Sequence, residues 1–292
     1  CQSISLKDTS LSSGKVSSKF FFNENKDSIF HPEMRMSYDH NNKQILFNRL
    51  NNTYLSDRPI LNSYHALNIY ADILKINLEQ KNMFILSTCV ANKNYILFES
   101  LDYYNNSRYK DLDFSSSNMI DILLICINNY EKRNKVSVYD FALYMDMSFE
   151  NALHVIKTLE IFDFVNYDSF SEKFDIKNRA FHFYDSKNKK YDFDQLSVES
   201  SCFLGDVISI IDLNDLTMRI SNVKKINFQF ESNYNLDLID KEIVFYKNRD
   251  FIMNSNISFE NFNIKSDSVV FNYNDFLLFY PKYSDFEIIN KN

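Results

Sequence analysis

Two glycines, three prolines and no tryptophan stand in 292 residues, where average usage would give roughly 20 glycines. A phosphate cradle needs several residues without a Cβ, so that backbone N–H groups can close on the anion. Gly14 and Gly205 are far apart, and neither GxGxxG, GxxxxGKS/T nor GxSxG can be written from this chain. These absences argue against the large nucleotide-dependent enzyme families. Cysteine is also sparse: Cys1, Cys89, Cys126 and Cys202 form no CxxC pair and no zinc spacing. Cys89 and Cys126 lie in apolar surroundings, where free core thiols are expected. No run of like charge has the length of a nucleic-acid-binding or membrane-binding tail. The longest apolar run, Ile122 to Ile127, falls far short of the ~20 residues of a membrane span.

What is present is apolar and aromatic. Hydrophobic residues make up 45% of the chain, with 28 Phe and 19 Tyr, which is ample for a packed core and excludes general disorder. The net charge is −7. Asn, Asp and Lys stand where glycine would normally turn the chain, as in Asp39-His40-Asn41-Asn42-Lys43 and Lys247-Asn248-Arg249-Asp250. Asn and Asp tolerate the left-handed conformation better than other residues with a side chain.

Periodicity divides the chain. Residues 1–19, rich in Ser and Lys, read as a flexible polar tether. Residues 20–117 read as a β-rich N-terminal domain, in which Met34–Tyr38 and Gln44–Phe47 flank a hairpin turn. Leu67–Ile73 alternates with period two and Leu74–Leu78 in the opposite phase, which predicts a bulge or register change between them. Residues 118–185 change to helical period. Ile120, Leu123, Leu124 and Ile127 form one stripe, Tyr139–Met145 a second helix, and Ser148 caps a third with Phe149, Ala152, Leu153, Ile156 and Leu159 on one face. A strand from Phe162 and its return at Ala180–Tyr184 follow. Residues 186–292 read as a β-rich C-terminal domain. There alternation puts Ile226, Phe228, Phe230, Val244, Tyr246, Ile257, Phe259, Val269 and Phe271 on packed faces.

Few residues carry chemistry. His31, His40, His65, His154 and His182 are scattered, with no HExxH, so hydrogen-bonded or solvated histidines are expected, without a metal. Asp111-x-Asp113-x-Ser115 echoes a calcium loop, but Ser116 replaces its glycine and Ile122 its glutamate, which leaves a polar loop capping the next helix. Residues 118–185 hold seven Lys/Arg against eleven Asp/Glu, a net −4. DNA binding needs phosphate neutralisation, so this charge argues against it. The exposed face of the third helix, Glu150, Asn151, His154 and Lys157, is the candidate partner-contact face.

The order helix, short strand, two helices and strand pair resembles a winged helix. The stretch Cys1–Lys19 resembles the start of a mature bacterial lipoprotein, which implies lipidation of Cys1 and a polar tether. From about Phe30 to Tyr283, with its Lys-Asn-Arg-Asp-Phe turn, the chain resembles an internal stretch of very large cell-envelope proteins of Bacteroidota. That resemblance implies a degenerate winged-helix segment followed by β layers, and no catalytic residues. The fold class expected is α+β, mostly β: a β-hairpin-rich N-terminal part, a winged-helix-like segment in the middle, and a layered antiparallel or solenoid-like β C-terminal part. The function expected is a non-enzymatic structural or protein-binding component of the bacterial cell envelope, an outer-membrane lipoprotein or periplasmic protein anchored through Cys1, with protein partners and no cofactor. The alternative is a cytoplasmic winged-helix regulator that binds nucleic acid.

Overall fold

The computed structural model of the protein describes residues 4–50, 58–88, 95–101, 109–114, 117–129, 135–188, 196–202, 205–227, 234–259, 262–275 and 277–288. Strands account for 55% of the chain, as the mostly-β expectation requires. The chain forms two compact units, one of residues 1–101 with 196–292, the other of residues 102–195. The two β-rich domains expected at 20–117 and 186–292 are therefore one unit.

Strands β1 (Ser5–Lys7) and β2 (Ser10–Phe22) form a hairpin, and β2 pairs along its length with β3 (Asp27–Asp39). The expected tether is thus largely sheet. Serine and lysine supply little to bury, but every residue except proline can make ladder hydrogen bonds. The predicted hairpin follows: β4 (Gln44–Arg49) returns against Met34–Asp39. Its turn is shaped by the Asp39 carboxylate, which accepts from the amides of Asn41 and Asn42. β5 (Ile60–Asn62) pairs instead with the other end of β3, through Ile29 and Phe30. β3 therefore serves two ladders. β6 (Leu67–Tyr70) and β9 (Tyr95–Ser100) extend the ladder of β5, whereas β7 (Ile73–Asn77) and β8 (Asn82–Leu86) extend that of β4.

The phase reversal read between Ile73 and Leu74 is where the chain crosses between those ladders, at Ala71–Asp72. Carbonyls at such a bend lose their ladder partners and need others. Arg49 supplies them: its Nε and Nη2 donate to the Ala71 carbonyl at 3.0 and 2.8 Å, and its amide to Asp72 O at 2.7 Å. The Asp72 carboxylate in turn accepts from the Ser87 hydroxyl at 2.6 Å and from the amide and hydroxyl of Thr88.

Residues 102–195 form the second unit. A short pair, β10 (Asp113–Phe114) and β11 (Ser117–Asn118), leads into α1 (Met119–Asn129), then β12 (Val136–Ser137), α2 (Val138–Tyr144) and α3 (Phe149–Ile161). β13 (Val165–Asp168) and β14 (Lys173–Ile176) form a hairpin to which β12 adds. The Ser137 and Ser148 hydroxyls cap α2 and α3, accepting from the amides of Asp140 and Asn151. Phe141, Val155, Ile156, Phe164 and Phe174 join Ile120 and Leu123 in a separate core. The expected strand at Ala180–Tyr184 is instead part of helix α4 (Asn178–Lys187). The hairpin has already closed at β14, and Ala180 and Phe183, three apart, both turn into this core.

The chain returns through β15 (Ser197–Ser201), paired with β9, and β16 (Val207–Asp212), paired with β8. β17 (Met218–Ile220) joins β16 and β18 (Val223–Asn227) joins β15. A meander of β19 (Tyr234–Phe245), β20 (Phe251–Phe259), β21 (Phe262–Asn272) and β22 (Leu277–Ile288) continues from β17. The pairs β6–β7, β8–β9, β15–β16 and β17–β18 are each consecutive in the chain, with one strand in either ladder. Ile69, Phe98, Val198 and Val223 of one ladder share a single apolar cluster with Ile76, Met83, Ile211 and Met218 of the other. An antiparallel sheet folded over on itself, apolar side inward, satisfies these pairings.

Register explains both faces. Ile76, Met83, Ile211, Met218, Phe245, Phe251 and Phe271 are successive cross-strand partners and are all buried. This row corrects the expected packed faces at β19: Ile243 and Phe245 point inward, whereas Val244 is half-buried and Tyr246 exposed. Val269 and Phe271 are buried as expected, and Ile226 packs against the cluster. Phe228 and Phe230, with the side chains of Ile257 and Phe259, lie outside the described residues. Among the described residues, nine of the fourteen positive-φ residues other than glycine are Asn, Asp or Lys, including Asn23, Lys43, Asp163 and Asn248, so these side chains do take the turns.

The open edge of the folded sheet is closed by His65. Its Nδ1 accepts from Asn62 Nδ2 at 2.9 Å, and its Nε2 donates to the Leu216 carbonyl at 2.9 Å, joining the β5–β6 turn to the β16–β17 turn. Beside it the Asn248 amide donates to Tyr64 O at 2.9 Å. Burial lowers the His65 pKa from 6.5 to about 4. His31 is lowered from 6.5 to about 3 by burial and by the nearby Arg49 charge. Both are neutral in the fold and titrate at an ordinary pKa once unfolded, so their contribution is complete above pH 6.5 and fades as pH falls toward 4 for His65 and toward 3 for His31. At pH 5 each should cost about 2 kcal/mol relative to pH 8. Denaturant titrations should show His65→Gln losing part of that pH dependence; an unchanged slope would refute the assignment.

The second unit leaves from the end of β9 and re-enters at the start of β15, where Ser197 faces Glu99 and the Ser100 amide donates to Leu196 O at 3.0 Å. Its two connections are thus cross-strand neighbours, and loop length between paired strands costs little entropy. Replacing residues 102–195 with a short Asn-Gly turn should leave the sheet unit folded, its thermal midpoint within about 4 °C of the full chain. Failure of the shortened chain to fold would show that the inserted unit is needed for the sheet.

Candidate functional site

The residues chosen from the sequence come together as drawn on one helix. Glu150, Asn151 and His154 are exposed on α3 and Lys157 is half-buried, one helical face opposite Ala152, Val155 and Ile156. The His154 ring lies 5.9 Å from Phe114. Cys1, the expected lipidation site, lies outside the described residues, as does Cys89 and the side chain of Cys126.

The buried histidines are occupied rather than poised. The His31 Nδ1 accepts from the Glu33 amide at 3.1 Å and its Nε2 donates to the Arg58 carbonyl at 3.0 Å. With both ring nitrogens engaged and the ring held neutral, neither His31 nor His65 has a lone pair or proton to give a substrate. Close by, Glu33 is buried and meets the Lys15 ammonium at 2.8 Å. His40 is on the exposed β3–β4 turn, and His182 is on α4 rather than a strand. Among the described residues no group of three or more His, Cys, Asp or Glu could hold a metal ion.

The polar loop before α1 works differently from the expectation. Asn118, not an aspartate, accepts from the Ile120 amide at 3.0 Å and caps the helix, while Asp113 accepts from the Asn118 side chain. Nearby the Tyr109 hydroxyl donates to Asp121 and accepts from Lys187 at 2.7 Å, with Lys187 3.2 Å from the Asp121 carboxylate. These contacts tie α1 to α4.

A second surface of this unit was missed from the sequence. On α2, Tyr139 and Leu143 are 62% and 65% exposed, and at the β13–β14 turn Phe170 is 99% exposed. The turn is nonetheless well held. The Asp168 carboxylate accepts from the Phe170 amide at 3.0 Å and the Ser171 hydroxyl at 2.7 Å. The Ser171 bond, then the Phe170 bond, hold the Asp168 pKa below its usual range. The Val138 amide donates to the Glu172 carbonyl at 2.9 Å, so the first turn of α2 abuts this hairpin turn. A lone Phe in Asp-Ser-Phe-Ser-Glu was the available signal, since turns seldom spend a large apolar residue.

Cys202 is disulfide-bonded, which the spacing had not suggested. The only other cysteines of the chain are Cys1, Cys89 and Cys126. Among the described residues no helix is long and apolar enough to cross a membrane. No protein-family model, no curated protein and no solved structure matches this chain.

Phe170→Ser should change stability by less than about 0.5 kcal/mol, whereas Phe174→Ala, buried two residues into β14, should cost about 3–5 kcal/mol. Denaturant unfolding of the two variants distinguishes surface from core; a large loss at Phe170 would refute its exposure.

Proposed function

We propose that the protein is a non-enzymatic, protein-binding component of the bacterial cell envelope, working outside the cytoplasm. The observation that carries this reading is the disulfide at Cys202. Disulfides persist in oxidising compartments and are kept reduced in the cytosol, so a bonded Cys202 supports the envelope over the cytoplasmic regulator. The folded sheet supplies a rigid body in this reading, and the inserted unit is the binding module. Its order of α1, β12, α2, α3 and the β13–β14 hairpin supports a winged-helix-like reading, with the hairpin as the wing.

Binding to protein rather than nucleic acid is favoured by charge. The helix that would enter a DNA groove is α3, and its exposed face offers Glu150, Asn151 and His154 with Lys157 alone as a certain cation. A reader of DNA concentrates Arg or Lys on that helix and on the wing.

The test is the redox state of Cys202 in protein recovered from the native cell with thiols trapped during lysis. Non-reducing peptide mapping should find Cys202 joined to another cysteine of the chain. A freely alkylated Cys202 in the native cell would overturn the envelope assignment.

A further inference from the structure

The geometry points to a docking face on the inserted unit, made by α2 and the β13–β14 turn, that takes a cationic amphipathic polypeptide segment. This rests on the protein-binding reading and names its site and partner class. Three large side chains, Tyr139, Leu143 and Phe170, are each more than half exposed there. Tyr139 and Leu143 stand one turn apart on α2, so they share a side of that helix. The bond from the Val138 amide to Glu172 O brings the start of α2 against the turn that carries Phe170. Exposed apolar side chains gathered on ordered backbone mark interaction sites on soluble surfaces. Phe170 sits on a turn fixed by three contacts, namely the two bonds to Asp168 and the β13–β14 ladder. It is therefore presented, not merely left over.

Charge selects the occupant. Residues 136–147 contain Asp140 and Asp146 and no Lys or Arg, and residues 168–173 contain Asp168 and Glu172 against Lys173. Lys135, just outside, lies 3.8 Å from Asp175. Four carboxylates against one lysine repel nucleic-acid phosphates and anionic lipid headgroups. They complement Lys or Arg flanking apolar anchors, with the apolar trio burying the anchors and the carboxylates setting orientation and on-rate. The α3 face of Glu150, Asn151 and His154 lacks large apolar side chains and is not part of this site.

The experiment uses the full chain and a fluorescent helical peptide of about 18 residues, built from Leu on one face and Lys on the other, with a Leu/Glu peptide of the same pattern as control. Anisotropy at physiological salt should show saturable binding of the Leu/Lys peptide with one site per chain and none of the Leu/Glu peptide. Leu143→Ser combined with Phe170→Ser, both exposed, should keep the thermal midpoint and weaken binding about tenfold or more. Glu79→Gln, in the exposed β7–β8 turn of the sheet unit, should bind as the unchanged chain does. Equal binding by the Leu143/Phe170 variant would overturn this face while leaving the protein-binding reading intact. Absence of any binding to the unchanged chain would overturn the partner class. So would concentration-dependent self-association that the double variant abolishes, which would make the face a contact between copies. A reduced Cys202 in the native cell would remove the envelope reading separately.

Discussion

Folding a continuous antiparallel sheet over on itself requires each long strand to abandon its ladder at one point, and every backbone group released there must find a partner. Arg49 meets that requirement at Ala71–Asp72, where two N–H groups of one guanidinium donate to the same carbonyl. At the β15–β16 and β17–β18 crossings, backbone and hydroxyl groups serve as partners. The Ser201 amide reaches Asn222 O, the Ser221 amide reaches Ile208 O, and the Ser200 hydroxyl reaches Ser221 O. Once the bends are satisfied, the apolar faces of both layers meet, and the hydrophobic term can act on residues from Phe22 to Phe271 in one cluster.

The free edges opposite those bends are joined with strain. Ala66 and Leu216, on either side of the His65 bond, both have positive φ, at 53° and 61°. Such backbone costs roughly 1–2 kcal/mol per residue and persists only where its surroundings over-determine it. The buried Asn62–His65–Leu216 chain of bonds does so. The same imidazole that closes the sheet is thus, like His31, a point at which acid acts on it.

Much of this was legible in the sequence, and the losses have physical reasons. The β3–β4 hairpin, the caps at Ser148, the helical stripes of α1 and α3 and the phase reversal near Ile73 were all visible, because each depends on residues within a turn or two. The joining of residues 1–101 to 196–292 was not, because cross-strand pairing between Glu99 and Ser197 leaves no local trace. Helix α4 was misread because His182 and Tyr184 among Phe181 and Phe183 mimic a strand, while its burial follows Ala180 and Phe183. The inward face of β19 was set by Phe251 and Phe271 across the ladder, and alternation alone could not choose between Val244 and Phe245. Helical spacing places Glu150, Asn151, His154 and Lys157 on one side of α3, whereas Phe170 stands in a turn, where no periodicity marks a surface residue.

The adjacency of the two connections at Ser100 and Leu196 has a mechanical meaning. A pull applied through the sheet unit on either side of the insertion runs across the β9–β15 ladder. Its hydrogen bonds are loaded first, and residues 102–195 carry no tension while that ladder holds. A module slung in this way keeps its shape while its carrier is stretched. If the ladder were to part, the slack stored in the inserted unit would become available as extension.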